Sequence, residues 1–417
     1  MKEIRQALDH YISRPHEDTA LRNALIQIFD QAGLAGQELE EIVRQGPILK
    51  RPEQIETGKL YADLPLQCRQ VNYQTEYFLY VPTTYDPAKP SPLLLVGHGG
   101  NGNMAHTQAR MAAYMGMEDW IAIAESRGWI MAAPLTQRGW GVIGYAVLFS
   151  LLHQLKRQWR IDPERIYLTG HSMGGHLSWR SAMHLADRFA AISPMSGGYD
   201  YVDKGMMSLL NLVPGYATFG QREPYGIAEA NRIMQNWLDE HPEIDWQIVE
   251  KPGGHEIFKD ELPKIADFME ARPRNLYRSA LAVLGLPKDR WDQPNKPWDR
   301  KYRWDKQQPI WRSYFHWIQL FDDSSLPKGT FQELEASIVQ EDNSVRLRLK
   351  NCSRLRVYLH PKMLDIESEV KIWINDELHW QGVPERRTAL MIENMRRLDD
   401  WGRVYPVALD IDLRRMI

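Results

Sequence analysis

The sequence predicts an α/β protein: a mostly parallel sheet with helices on both faces, an N-terminal helical segment and a C-terminal antiparallel β-sandwich. Three observations carry this. Between about residues 66 and 273, short apolar runs alternate with amphipathic segments of helical length, the pattern of strand–helix–strand units. The first 50 residues carry apolar positions at helical spacing. Beyond about residue 311, strand-like runs are separated by turn signals. The 417 residues, 43% of them hydrophobic, suffice for two or three domains with sizeable cores. The expected division is 1–50, 51–273, a Trp/Pro-rich linker at 274–310, and 311–417.

In the first segment Ile4, Leu8 and Ile12, then Leu21, Leu25, Ile28 and Phe29, then Leu39, Ile42 and Val43 mark three short helices. Breaks at Ser13-Arg14-Pro15 and between Gly33 and Gly36 separate them. Each has one apolar face, so the group is expected to pack on the domain that follows. In the α/β region the predicted strands are 78–81, 93–96, 129–132, 166–168, 190–192, 216–219 and 246–249. Helices are predicted over 108–127, 145–159, 174–187 and 227–240. In the linker and just beyond it, Trp291, Trp298, Trp304, Trp311 and Trp317 read as residues that pin two domains, with a ligand platform as the alternative. The last segment has predicted strands at 311–321, 333–340, 344–350, 354–359, 369–374 and 408–413, and one helix near 385–398.

Composition narrows the function. Lys plus Arg number 51 against 54 Asp plus Glu, a formal charge of -3, which removes the electrostatic basis for a nucleic-acid partner. No apolar run reaches the ~18 residues of a membrane span. The charged start, Met1-Lys2-Glu3-Ile4-Arg5, shows no export signal, so a cytoplasmic location is expected. Cys68 and Cys352 are the two cysteines, too few for a zinc cluster or a disulfide framework.

The motif that carries chemistry is Gly170-His171-Ser172-Met173-Gly174-Gly175, between a predicted strand and a predicted helix. A Gly-x-Ser-x-Gly there makes a tight turn that holds the serine above the sheet edge, beside the positive end of the helix. A serine hydroxyl needs a base. His255, in Gly253-Gly254-His255-Glu256, follows the last strand of this region through a glycine turn. The orienting acid belongs on the loop after 216–219, where Glu223 is the carboxylate before the next helix; Asp200 and Asp203 are held in reserve. Gly97-His98-Gly99-Gly100 follows the strand at 93–96. An amide of Gly99 or Gly100, with that of Met173, would form an oxyanion hole.

These pieces resemble the α/β-hydrolase superfamily over residues about 66–273. The elbow with its lead-in, Asp162-Pro163-Glu164-Arg165, is similar to that of bacterial esterases related to polyhydroxybutyrate depolymerases and feruloyl esterases. His98-Gly99-Gly100 and Gly253-Gly254-His255-Glu256 match the group's oxyanion and histidine segments. Such enzymes usually carry Asp on the acid loop, and here Glu stands at the matching place. The C-terminal region resembles a β-sandwich appended to some of these hydrolases.

The resemblance implies a serine carboxylesterase that acts without metal or organic cofactor on a small-molecule ester, free or attached to a polymer. A prolyl oligopeptidase-like serine peptidase shares every catalytic residue, and a non-catalytic binding protein of the same fold is the third reading. His98, His171 and Trp140 are expected to line the substrate pocket, with Gln137 and Arg138 at its border. Met104, Met111, Met115, Met117, Met206 and Met207 are candidate lining for an acyl group, or core residues. The C-terminal region could bind a polymer, mediate homo-oligomer formation, or be structural.

Overall fold

The computed structural model describes residues 1–14, 18–68, 71–198, 204–285, 314–321, 326–327 and 329–416. Asp200, Asp203, Trp291, Trp298, Trp304 and Trp311 lie outside them, and with them most of the stretch read as a linker. Two compact units result. One is Arg51–Asn275; the other joins Met1–Lys50 to the described parts of Leu276–Arg290 and Ile310–Ile417.

The chain opens with α1 (Lys2–Ile12), α2 (Thr19–Gln31) and α3 (Gly36–Arg44), divided where the sequence predicts. Asp18 caps α2 by accepting a hydrogen bond from the Leu21 amide at 2.9 Å. Leu8, Tyr11, Leu25, Phe29, Ile42 and Val43 bury against Met391, Ile392, Met395, Trp401 and Val404 from the far end of the chain.

The unit formed by Arg51–Asn275 holds β1 (Leu60–Gln67), β2 (Gln74–Tyr80) and β3 (Ser91–Gly97), then α4 (His106–Glu118), α5 (Ile121–Arg127) and β4 (Ile130–Pro134). It continues with α6 (Val142–Gln158), β5 (Ile161–His171), α7 (Met173–His184) and β6 (Ala191–Met195). β7 (Gly215–Gly220), α8 (Ile227–Asp239), β8 (Trp246–Lys251) and α9 (Leu262–Glu270) complete it. The eight strands form one sheet in the order β1-β2-β4-β3-β5-β6-β7-β8. β2 runs antiparallel to β1 and β4, and all other pairs are parallel.

Side chains alternate across a strand, and both faces of this sheet are covered. Leu94 and Val96 share a core with Met117, Trp120, Ile265 and Met269, while Leu93 and Leu95 on the opposite face are also fully buried. The predicted helix at 108–127 is two helices, α4 and α5, with Asp119 as C-cap of the first and Trp120 as N-cap of the second.

One charged cluster secures the start of α9. Glu261, 1% exposed, accepts from Tyr216 Oη at 2.8 Å, Lys251 Nζ at 2.8 Å and Lys264 Nζ at 2.9 Å. Burial alone would raise its carboxyl; these donors outweigh it and hold the group at about 2, below an ordinary value of 4.5. A carboxyl lowered on folding stabilises the native state above its unfolded value, and that stability is lost as the pH falls through the folded value. Glu261→Gln is therefore expected to destabilise the protein at pH 7 by on the order of 2 kcal/mol. The gap to wild type should narrow between about pH 4.5 and 2, as measured by urea unfolding at several pH values.

The other unit continues with β9 (Ala280–Gly285), β10 (Tyr314–Phe315), β11 (Ile318–Leu320), β12 (Gln332–Val339) and β13 (Ser344–Lys350). Then come β14 (Arg354–Leu359), β15 (Val370–Ile374), β16 (Glu377–Gly382), α10 (Thr388–Leu398) and β17 (Val407–Asp412). They make two sheets, β10-β11-β14-β17 and β16-β15-β13-β12-β9. The expected antiparallel arrangement holds except for β13 and β15, which pair in parallel. β9 lies inside the stretch read as a linker, yet pairs with β12 over six residues. Trp317 is fully buried, its indole N–H donating to the Arg278 carbonyl at 2.9 Å.

Candidate active site

Ser172 sits between the end of β5 and the start of α7 with φ 58° and ψ -114°, a conformation that costs energy for a residue with a side chain. The surrounding backbone enforces it. A Cβ on Gly174 would stand 1.9 Å from the Gly97 carbonyl oxygen, and one on Gly170 would stand 2.5 Å from the same atom. β3 and the first turn of α7 thus approach to a distance only glycine permits. The Ser172 amide is held by the Met195 carbonyl of β6 at 3.0 Å.

His255 and Glu223 come to this turn from two loops that are themselves in contact. The Arg222 amide donates to the Gly253 carbonyl at 2.9 Å, and a Cβ on Gly220 would meet the Gly254 carbonyl oxygen at 2.2 Å. In this arrangement His255 Nε2 lies 2.8 Å from Ser172 Oγ, and Nδ1 lies 2.5 Å from Glu223 Oε2. The Glu223 side chain is fully buried, whereas that of His255 is 29% exposed. Burial pushes the Glu223 carboxyl up, but hydrogen bonds from His255, the Ser196 hydroxyl and the Gly220 amide (3.2 Å) prevail, and it is held below its ordinary value. An ionised Glu223 accepts a hydrogen bond from Nδ1–H, which leaves Nε2 with a lone pair directed at the serine hydroxyl.

Ser196 is a contributor that the sequence reading did not single out. It follows β6 with φ 46°, and its hydroxyl reaches both the Glu223 carboxylate and the Glu256 carbonyl (2.9 Å). A serine after a strand carries no sequence signal that would mark it.

The loop after β3 lies against the elbow. A Cβ on Gly99 would be 3.4 Å from Ser172 Cβ, so the backbone of this loop borders the serine. Met173 opens α7, where first-turn amides have no helical carbonyl to bond.

His98 and Trp140 pack against the loop that follows β3. Both rings are buried, at 0% and 1% exposure, and they hold the loop from behind. His98 Nε2 accepts from the Thr136 amide at 3.0 Å, so Nδ1 carries the proton and donates to the Gly99 carbonyl at 2.7 Å. Trp140 Nε1 donates to the His98 carbonyl at 2.9 Å. Burial holds the His98 imidazole neutral, down to about 4. His98→Leu is expected to cut turnover about 10- to 100-fold, less than deleting an oxyanion donor outright, as read from steady-state kinetics on a p-nitrophenyl ester.

His171 does reach the site, its ring 4.8 Å from that of His255. The methionines do not act together. Met117, Met206 and Met207 are core residues, and Met111 and Met115 are exposed on α4. Met104 lies close to Gly100, where an added Cβ would be 2.3 Å from its sulfur.

A mostly parallel eight-stranded sheet with an antiparallel second strand, whose fifth strand runs through Gly-x-Ser-x-Gly into a helix, is the α/β-hydrolase fold. No family model matches the chain. Among curated proteins it is 30% identical over 125 residues to a bifunctional acetylxylan esterase/xylanase of Neocallimastix patriciarum, covering 28% of this chain and 17% of that protein. It is 31% identical over 128 residues to feruloyl esterase C of Emericella nidulans, covering 30% and 46%. The chain thus spans less than half the length of these two relatives. A solved thermostable esterase superposes with a TM-score of 0.45 at 20% identity, over 52% of this chain and 63% of that one. No helix among the described residues is long and apolar enough to cross a membrane.

Proposed function

We propose that the chain is a serine carboxylic-ester hydrolase working through an acyl-enzyme on Ser172. The observation that carries this is the continuous relay from Ser172 Oγ through His255 to a buried Glu223, at 2.8 and 2.5 Å, on a strained serine elbow. Ser172 Oγ attacks the ester carbonyl carbon as its proton passes to His255 Nε2. Glu223 keeps the second proton on Nδ1 and balances the imidazolium. The tetrahedral oxyanion is received by backbone amides of Met173 and of Gly99 or Gly100. Collapse expels the alcohol, which takes the proton from His255. Water then repeats the sequence against the acyl-enzyme and frees the acid and Ser172.

The proposed substrates are esters carried on a polymer, because the similar proteins include an acetylxylan esterase and a feruloyl esterase. The test is turnover of p-nitrophenyl acetate, butyrate and octanoate, methyl ferulate and acetylated xylan, beside peptide p-nitroanilides. Ester turnover supports the proposal. Cleavage of the anilides alone would replace it with a peptidase, and no turnover of any of them would leave a binding protein.

A further inference from the structure

His171 is a titratable side chain at the site for which the reaction steps above have no use. It ends β5, immediately before Ser172. Its Nε2 is sealed from solvent without a hydrogen-bond partner, an arrangement that costs stability and that an apolar ring would avoid. Its ring lies tilted against that of His255, with 4.8 Å between centroids and 44° between planes. Burial, and then the neighbouring His255 charge, push its imidazole down to about 4, so it stays neutral while His255 is protonated.

We propose that His171 is a positioning residue whose neutral ring face stabilises the imidazolium form of His255 during acyl transfer. An aromatic face within about 6 Å of a cation attracts it, and this contact gains strength only when His255 takes the serine proton. It is therefore an interaction favouring the transition state over the ground state. The other groups around His255 are Glu223 on Nδ1, Ser172 on Nε2, the Arg222 backbone on the Gly253 carbonyl, and Glu256, whose carboxylate accepts from the Gly254 amide at 3.2 Å. Glu223 supplies the charge balance, and His171 the aromatic face.

The inference rests on the esterase reading, and its test separates the two. His171→Leu removes the ring, whereas His171→Phe keeps a ring face without nitrogens. In His171→Leu the acid limb of kcat/KM is expected to move about half a unit to lower pH, and the plateau kcat to fall about threefold. In His171→Phe both should stay near wild type, and the melting temperature should rise as the unpartnered nitrogen is removed. Equal shifts in Leu and Phe would mean that lost solvation and not the ring face is responsible, and would overturn the proposal. So would an unmoved acid limb in His171→Leu. If the protein hydrolyses no ester, the esterase reading fails by itself. The ring contact is then read from the NMR titration midpoint of the His255 ring protons, assigned by their loss in His255→Gln. There a midpoint lowered in Leu and retained in Phe supports the inference, and any other pattern contradicts it.

Discussion

Ser172→Ala is expected to lower kcat on p-nitrophenyl butyrate by about 10^4- to 10^6-fold with the fold intact. In the proposed reaction the serine oxygen is the atom that takes the acyl group, and His255 Nε2 stands 2.8 Å from it. Without the hydroxyl the relay has no nucleophile to activate. On the proposed mechanism the backbone amides and substrate binding remain, which would still exceed water by about 10^3- to 10^4-fold. His255→Ala should cost nearly as much. The double variant should cost little more than either alone, since the residues act as one unit. Unchanged melting temperatures would show that both losses are chemical.

Gly174→Ala should have the largest effect on the fold itself. Its methyl would fall 1.9 Å from the Gly97 carbonyl oxygen and 2.5 Å from the Gly97 carbonyl carbon. Both are backbone atoms of β3, so no side chain can swing aside. β3 and the first turn of α7 would have to separate, opening the sheet beneath the serine. A loss of about 4 kcal/mol or more is expected, in the range reserved for overpacked cores and special backbone sites. Activity should vanish with it. Gly116→Ala is the control: this glycine lies inside α4, and its Cβ would meet only Val96 Cγ1 at 3.7 Å. There the expected outcome is neutral to stabilising by about 0.5–1 kcal/mol, because alanine favours a helix interior. Thermal and urea unfolding of the three proteins checks both.

The α/β region was legible because its strands are continuous apolar runs, as buried parallel strands must be. β1 was missed because Leu60–Gln67 is mostly half-exposed, contains Pro65, and breaks register between Tyr61 and Leu64 around Asp63 at φ 59°. β16 escaped for a related reason: Glu377–Gly382 is a polar edge strand with no buried residue. Chain order was enough to choose Ser172, His255 and Glu223 as candidates, since each follows a recognisable strand. The direction of a side chain was not legible. His98 and Trp140 flank the expected site in sequence, yet their rings point into the protein and clamp the loop from behind. Periodicity likewise gave the apolar faces of α1, α2 and α3 without naming what covers them, because α10 lies more than 300 residues further along the chain.

The most direct test of the central claim is to quench the protein in acid during turnover of p-nitrophenyl acetate and map its peptides by mass spectrometry. The expected result is a single acetyl group on the peptide containing Ser172, absent from Ser172→Ala and accumulating in step with a burst of p-nitrophenol. An acetyl group on another residue, or steady turnover that persists in Ser172→Ala, would contradict the account.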